Sequence, residues 1–199
     1  MLEIKNLIGK TRKLSQTDLK NTTIFDSVNF ALKKINDINK AIKKDGGGTL
    51  FENVELANIS SMLGNFIALG VEKNSREYRK NIPHTFPDLL NKKSKEKNIE
   101  IKVSHGKNLP KGHLPKEGFY LITRYSLINN KNIISREDSE KIGIYEIRIG
   151  YLKVSDFNIS STENDSGKTA SIKTDSLENM ELIYHDTRFD PRKNESKTK

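Results

Sequence analysis

The apolar residues of this 199-residue chain change their spacing partway along it. From residue 24 to 69 they recur every three to four positions, the period of a helix with one buried face. From residue 98 onward they alternate or run unbroken, as strands require. Helices followed by a hairpin and further strands leave few ways to bury both kinds of face. The order predicts an α/β (α+β) fold, a central mixed β-sheet flanked by helices.

Ile24, Phe25, Val28, Ala31, Leu32, Ile35, Ile38 and Ile42 form one stripe on a helix over 24–44. It stops at Asp45-Gly46-Gly47-Gly48, where a glycine triplet favours a hinge. Thr49 and Glu52 have the spacing of a capping box, which opens a second helix running to about Leu69 and ending at Gly70. On that helix Glu55 falls in the same arc as Phe51, Ile59 and Met62. A carboxylate on such a face needs a cation or a donor, unless it sits at a rim open to water.

Phe86-Pro87-Asp88-Leu89-Leu90 is short and apolar around one acid, and Asn91 to Lys97 reads as an exposed hairpin tip. Asn98 to Ser104 then alternates, with Ile99, Ile101 and Val103 on one face and Glu100, Lys102 and Ser104 on the other. Phe119 to Leu127 is apolar on both faces, as in a central strand. Ile142 to Val154 places Tyr145, Ile147, Ile149 and Tyr151 opposite Glu146 and Arg148. Residues 160–176 should loop, Met180 to Tyr184 should add an edge strand, and the last residues should fray. The expected division is a helical region over 1–48, contributing to dimerisation or DNA contact, a core over 49–190, and a flexible basic tail over 191–199.

With 35 Lys+Arg against 26 Asp+Glu, the formal charge is +9, which makes an acidic polymer such as nucleic acid the default partner. Absence of cysteine excludes a disulfide scaffold and thiolate zinc sites. Charges interrupt Met1 to Lys13 every few residues, so neither a signal peptide nor a membrane span is expected. A cytoplasmic protein without a membrane partner is the expectation.

The segment that carries chemistry is Pro87-Asp88, eleven residues, then Glu100-Ile101-Lys102. Glu100 and Lys102 project from one strand face, roughly 6 to 7 Å apart along the chain. If Asp88 ends the antiparallel neighbour, the two carboxylates can hold one hard cation such as Mg²⁺, with Lys102 beside the attacked phosphate.

These residues resemble the PD-(D/E)XK nuclease signature, and the chain's size, basicity and helix-before-hairpin order are similar to type II restriction endonucleases. The likeness covers roughly residues 49–127 in arrangement and five residues in the motif itself. It implies a restriction-endonuclease-like fold and Mg²⁺-dependent hydrolysis of a specific double-stranded DNA sequence. It further implies that Asp88, Glu100, Glu55 and the Ile101 carbonyl bind Mg²⁺ and that Lys102 assists the nucleophilic water. Reading a palindrome implies a homodimer, with the 24–44 helix on its surface.

From Lys102 to Lys116 no acid appears, so Lys107, Lys111, His113 and Lys116 are candidate DNA contacts, and Arg124 and Arg148 are candidate base readers. Gly143-Ile144-Tyr145 matches part of the GIY-YIG nuclease motif, but Arg148-Ile149-Gly150 follows too soon and without its tyrosine. His84, His105, His113 and His185 form no recognised ligand spacing. Two alternatives stand beside the restriction enzyme: a structure-specific repair or recombination nuclease, and a basic nucleic-acid-binding module without catalysis.

Overall fold

The computed structural model describes residues 1–9, 14, 16–83, 85–112, 114–160 and 169–193. Helix α1 (Asn21–Lys44) closes through Gly46, at φ +78°, with the Gly47 amide donating to the Ile42 carbonyl. The capping box forms as expected: Thr49 Oγ1 accepts from the Glu52 amide and Glu52 Oε2 accepts from the Thr49 amide. The helix it opens is nevertheless short. Helix α2 (Leu50–Asn53) ends where the Asn53 side chain donates to the Gly47 and Thr49 carbonyls, a local closure that competes with helix propagation. Val54 is extended, and α3 (Leu56–Asn74) starts anew.

Helix α3 also runs past the expected stop. Gly70 lies inside it, and a β-carbon there would meet the Ser27 carbonyl oxygen at 2.7 Å and the Ser27 Cα at 2.8 Å. This glycine serves close crossing of α1 and α3 rather than termination. The stripe of α1 points into that crossing and the sheet, with Ile24, Val28, Ala31 and Ile35 fully buried. That stripe is therefore covered within the single chain.

The strands follow as β1 (Tyr78–Lys80), β2 (Leu89–Asn91), β3 (Ile99–His105), β4 (Lys111–Gly112), β5 (Gly118–Ile128), β6 (Lys141–Leu152), β7 (Phe157–Ile159) and β8 (Ala170–Ile172). Helix α4 (Thr174–Asn179) and β9 (Glu181–His185) complete the order. Six strands form one mixed sheet, β1-β2-β3-β5-β6-β9, in which β3 and β5 are parallel and the other neighbours antiparallel. A small sheet, β4-β8-β7, forms separately. The expected loop over 160–176 thus contains β8 and the start of α4, while 161–168 lie outside the described residues.

Strand β5 is apolar on both faces because each face meets a core. Phe119, Leu121, Tyr125 and Leu127 join the helices α1 and α3, whereas Tyr120 and Ile122 pack with Phe157, Ile172, Leu177 and Met180. A bulge between Arg124 and Tyr125 leaves Tyr145 without a register partner and turns it away from Ile147 and Ile149, to pack with Ile128 and Phe189. Period-two alternation through β6 could not reveal that switch. The first residues are not helical throughout: Leu7 bridges Tyr184 and the Ile8 amide donates to Ile183, extending the sheet edge at β9. Arg192, expected in a fraying tail, is ion-paired to Asp190 at 2.7 Å and to Glu146 at 2.8 Å, while 194–199 lie outside the described residues. Among the described residues no helix is long and apolar enough to cross a membrane.

The two glycines of α3 should respond oppositely to alanine. Gly64→Ala places its methyl at an ordinary 3.5 Å from Val103 and should gain up to about 1 kcal/mol from helix propensity. Gly70→Ala must displace Ser27 backbone and should lose about 1–3 kcal/mol despite that gain. Urea melts of both variants check the pair, and equal shifts would refute the tight crossing.

Candidate active site

Leu89 pairs with Ile99 across the β2–β3 hairpin. One residue before β2, the side chain of Asp88 takes over from the ladder: its Oδ2 accepts the Ile101 amide at 2.8 Å. That bond fixes the Asp88 carboxylate over the middle of β3. Ile99 and Ile101 anchor the strand in the helix-covered core, so Glu100 and Lys102 emerge on the opposite face, as the alternation predicts. Lys102 Nζ lies 2.6 Å from Glu100 Oε1.

Glu100 is only 8 % exposed, and its second oxygen, Oε2, is buried without a hydrogen-bond donor. The neighbouring Asp88 carboxylate abuts it but has no proton to offer while both are ionised. Burial first, and then the charge of Asp88, push the Glu100 carboxyl above its ordinary value, and Lys102 pulls the other way. The structure therefore brings together Asp88, Glu100 and Lys102, with the Ile101 backbone between the last two in register with Leu121 of β5.

Glu55 does not join them. The break at Val54 makes it the exposed residue preceding α3, not a core-facing residue one turn into a helix, and it lines neither cavity beside the carboxylates. Glu52 is occupied by its cap, and Glu72 accepts the Lys80 amide at 3.1 Å. Among the described residues no group of three or more His, Asp or Glu is placed to hold a metal ion. Two carboxylates and a carbonyl remain a sufficient protein donor set for Mg²⁺, which keeps several waters and takes the rest from substrate phosphate.

Two cavities flank the carboxylates. One, of about 250 Å³, lies on the side of the small sheet and includes Phe86, Leu114, Tyr120 and Phe157. The other, of about 660 Å³, runs between α3 and β3 past Ser60, Ser61, Asn65, Ser104, His105 and Asn108. Asp88, Glu100, Lys102 and Lys111 line both. Burial, with Arg136 adding to it, lowers the His105 imidazole below its ordinary value, so this ring is neutral at pH 7; it packs edge-on to Tyr125. Burial also pushes the Tyr120 phenol up to about 12, with Glu100 adding to the shift, so it stays protonated and donates to the Lys116 carbonyl.

The sequence places Ser104 on the face of Glu100 but offers no reason to choose it. Ser60, Ser61, Gly64 and Asn65 share one arc of α3, a run of small polar residues whose helical spacing is the signal for a groove.

Among the expected DNA contacts, Lys111 and Lys116 border the small cavity, Lys107 is exposed on the following turn, and His113 lies outside the described residues. Arg124 and Arg148 are corrected. Arg124 is 2 % exposed, pairs with Glu146 at 3.2 Å and lies over the Tyr145 ring. Arg148 donates to the Glu178 and Met180 carbonyls, with its Nε 3.4 Å from Glu146. Both guanidinium groups are committed within the fold, Arg124 between β5 and β6 and Arg148 between β6 and the end of α4, and are withdrawn from base reading. Against the burial that opposes it, the hydrogen bond from Arg192 and the charges of Arg148, Arg192 and Arg124 hold Glu146 below its ordinary value.

No protein-family model matches the chain, and no curated protein matches it.

The raised Glu100 carboxyl makes a signed prediction. A carboxyl that holds its proton more tightly when folded contributes stability below its ordinary titration range, and that contribution is lost as pH rises through the raised value. Glu100→Gln should therefore melt close to the parent at acidic pH and above it at pH 8. Thermal melts across that range, without divalent cations, decide it; a variant less stable at pH 8 would contradict the frustrated carboxylate.

Proposed function

We propose that this chain is a Mg²⁺-dependent endodeoxyribonuclease of the type II restriction class, hydrolysing phosphodiester bonds in a specific double-stranded DNA sequence. The observation that carries the reading is the buried Glu100 carboxylate, facing Asp88, with one oxygen on Lys102 and the other without a donor. A buried anion in that state is costly unless a cation completes it. Asp88, Glu100 and the Ile101 carbonyl would hold Mg²⁺, consistent with the restriction-endonuclease-like fold of the resemblance. Bound there, Mg²⁺ would supply Lewis-acid polarisation of a phosphoryl oxygen.

The chain's own groups do the rest. Lys102, held by Glu100, donates a hydrogen bond to the attacking water or the phosphoryl oxygen and offsets the charge that develops there. Water oxygen bonds to phosphorus and releases a proton to solvent, the bond from phosphorus to the 3′ oxygen breaks, and that oxygen takes a proton from solvent, leaving 5′-phosphate and 3′-hydroxyl ends. Lys107, Lys111 and Lys116 attract the phosphate backbone without reading sequence. A homodimer would match a two-fold DNA site, and a cytoplasmic location follows from the substrate. The same centre would serve a structure-specific repair nuclease, and the small aromatic cavity beside it favours that second reading.

Digestion of bacteriophage DNA with Mg²⁺, with a Ca²⁺ control, tests the proposal. Discrete bands with Mg²⁺ are expected; cutting confined to branched or damaged DNA would select the repair nuclease, and salt-sensitive binding without any breakage would leave a non-catalytic module. Asp88→Asn and Lys102→Ala should each lower cleavage by about 10²–10⁴-fold. Mg²⁺ should also raise the melting temperature of the parent but not of Glu100→Gln, a metal readout independent of cleavage.

Gly112 makes a finer test. A β-carbon there would lie 3.2 Å from Lys102 Cε and 3.3 Å from its Nζ, so Gly112→Val must push the ammonium aside. Cleavage should fall by about 10–10²-fold, as expected for a displaced catalytic group. Parental rates in this variant would show that Lys102 position is unimportant.

A further inference from the structure

The Asp88, Glu100 and Lys102 side chains line two cavities that differ in size and in aromatic content. A phosphodiester seated on those side chains continues as nucleotide on both sides, so each cavity must receive one flank of the strand. The larger groove suits sugar and phosphate. It is lined by Ser60, Ser61, Asn65 and Asn108, and by Ser104, whose Oγ is buried without a partner.

The smaller cavity is too small for a base pair. Phe86, Leu114, Tyr120 and Phe157 supply its apolar and aromatic wall, and charged side chains share the lining. Its volume of about 250 Å³ falls below the roughly 300–1,000 Å³ of sites for drug-sized ligands, and a single flat heterocycle fills such a space. Phe86 is 38 % exposed and Leu114 64 % exposed, leaving apolar surface at the mouth for a planar ring to cover. Lys116 Nζ lies 4.4 Å from the Phe86 ring centroid, and Lys102 and Lys111 line the same cavity. A base that displaces the Lys116 ammonium from the Phe86 face would stack on that ring while its phosphate meets the ammonium groups.

Resting on the nuclease reading, we infer that the small cavity is a base-binding subsite: it seats the base of the nucleotide beside the scissile phosphate, unstacked and turned out of its helix. The substrate is then a nucleic acid in which that nucleotide is extruded by the protein or already unpaired. Unstacking costs least at an unpaired position, so a bulged nucleotide is the preferred probe.

The test is fluorescence anisotropy in Ca²⁺ with two labelled DNA hairpins, one carrying a single bulged adenine and the other an abasic residue at the same place. Aromatic stacking of one base predicts about tenfold or more tighter binding of the adenine hairpin. Phe86→Ala should reduce that ratio to within about twofold, and Leu114→Glu, at an exposed position, should do the same by placing charge in the mouth. Because the readout is a ratio, a loss of folded protein does not mimic the effect. Equal affinity of the parent for both hairpins overturns the subsite, and Mg²⁺-dependent nicking measured on the same hairpins then shows whether the nuclease reading survives. A preserved base preference without nicking overturns hydrolysis and leaves the base site standing. Failure to bind either hairpin overturns both.

Discussion

The arrangement at β3 turns on a conflict among three charges. Glu100 is buried, its carboxylate faces that of Asp88, and Lys102 satisfies one oxygen alone. Two carboxylates and one ammonium leave the cluster with a net negative charge. Loss of solvent around the buried carboxylate, and then the charge of Asp88, raise the Glu100 carboxyl although a lysine touches it. The fold holds the conflict in place through the opposite face of the strand, where Ile99 and Ile101 sit in the helix-covered core. Asp88 cannot turn away without releasing the Ile101 amide. The geometry keeps the two carboxylates together although one ammonium satisfies only one of their oxygens.

The sheet supplies the space as well as the anchor. Pairing of β3 with β5 in parallel means that the chain must cross from one strand end back to the other, and residues 106–117 make that connection. Within it β4 leaves the main sheet to pair with β8, so the small sheet stands over the strand face from which Glu100 and Lys102 project. Gly112 lies against Lys102 and Pro110 lines the cavity, so one connection forms both a wall of the small cavity and a seat for the ammonium. On the other side α3 presents Gly64, Ser60 and Ser61 where larger residues would close the groove.

Much of this was legible because it depends on local period. The α1 stripe, the capping box, the alternation of β3 and the two-faced β5 each follow from residues within a few positions of one another. So does the placement of Glu100 and Lys102 on one face, with Asp88 a hairpin away. What was illegible depends on contacts between distant residues. Gly70 looks like a helix stop until Ser27 of α1 is set against it. Tyr145 keeps the pattern of Ile147 and Ile149 until the bulge opposite Arg124 shifts the register. Glu55 belongs to a continuous helical arc only if Asn53 does not close the turn before it, and its side chain does.

Net charge misleads for the same reason. Arg124 and Arg148 count toward the formal +9 as fully as any lysine, and guanidinium groups are the usual base readers. Yet both converge on Glu146, joined by Arg192, which Asp190 also holds. Arginine suits that role because its planar fork donates in several directions at once. The lysines behave differently. Lys111 and Lys116 border the cavities, where a compact ammonium on a flexible stem can follow a phosphate. Sorted by what each side chain touches, the arginines of β5 and β6 belong to the architecture, and the lysines that border the cavities belong to the connection beside the carboxylates. Those lysines sit on the same short segment that shapes the cavity, so under the proposed function phosphate contact and the geometry around Lys102 would be coupled through one stretch of chain.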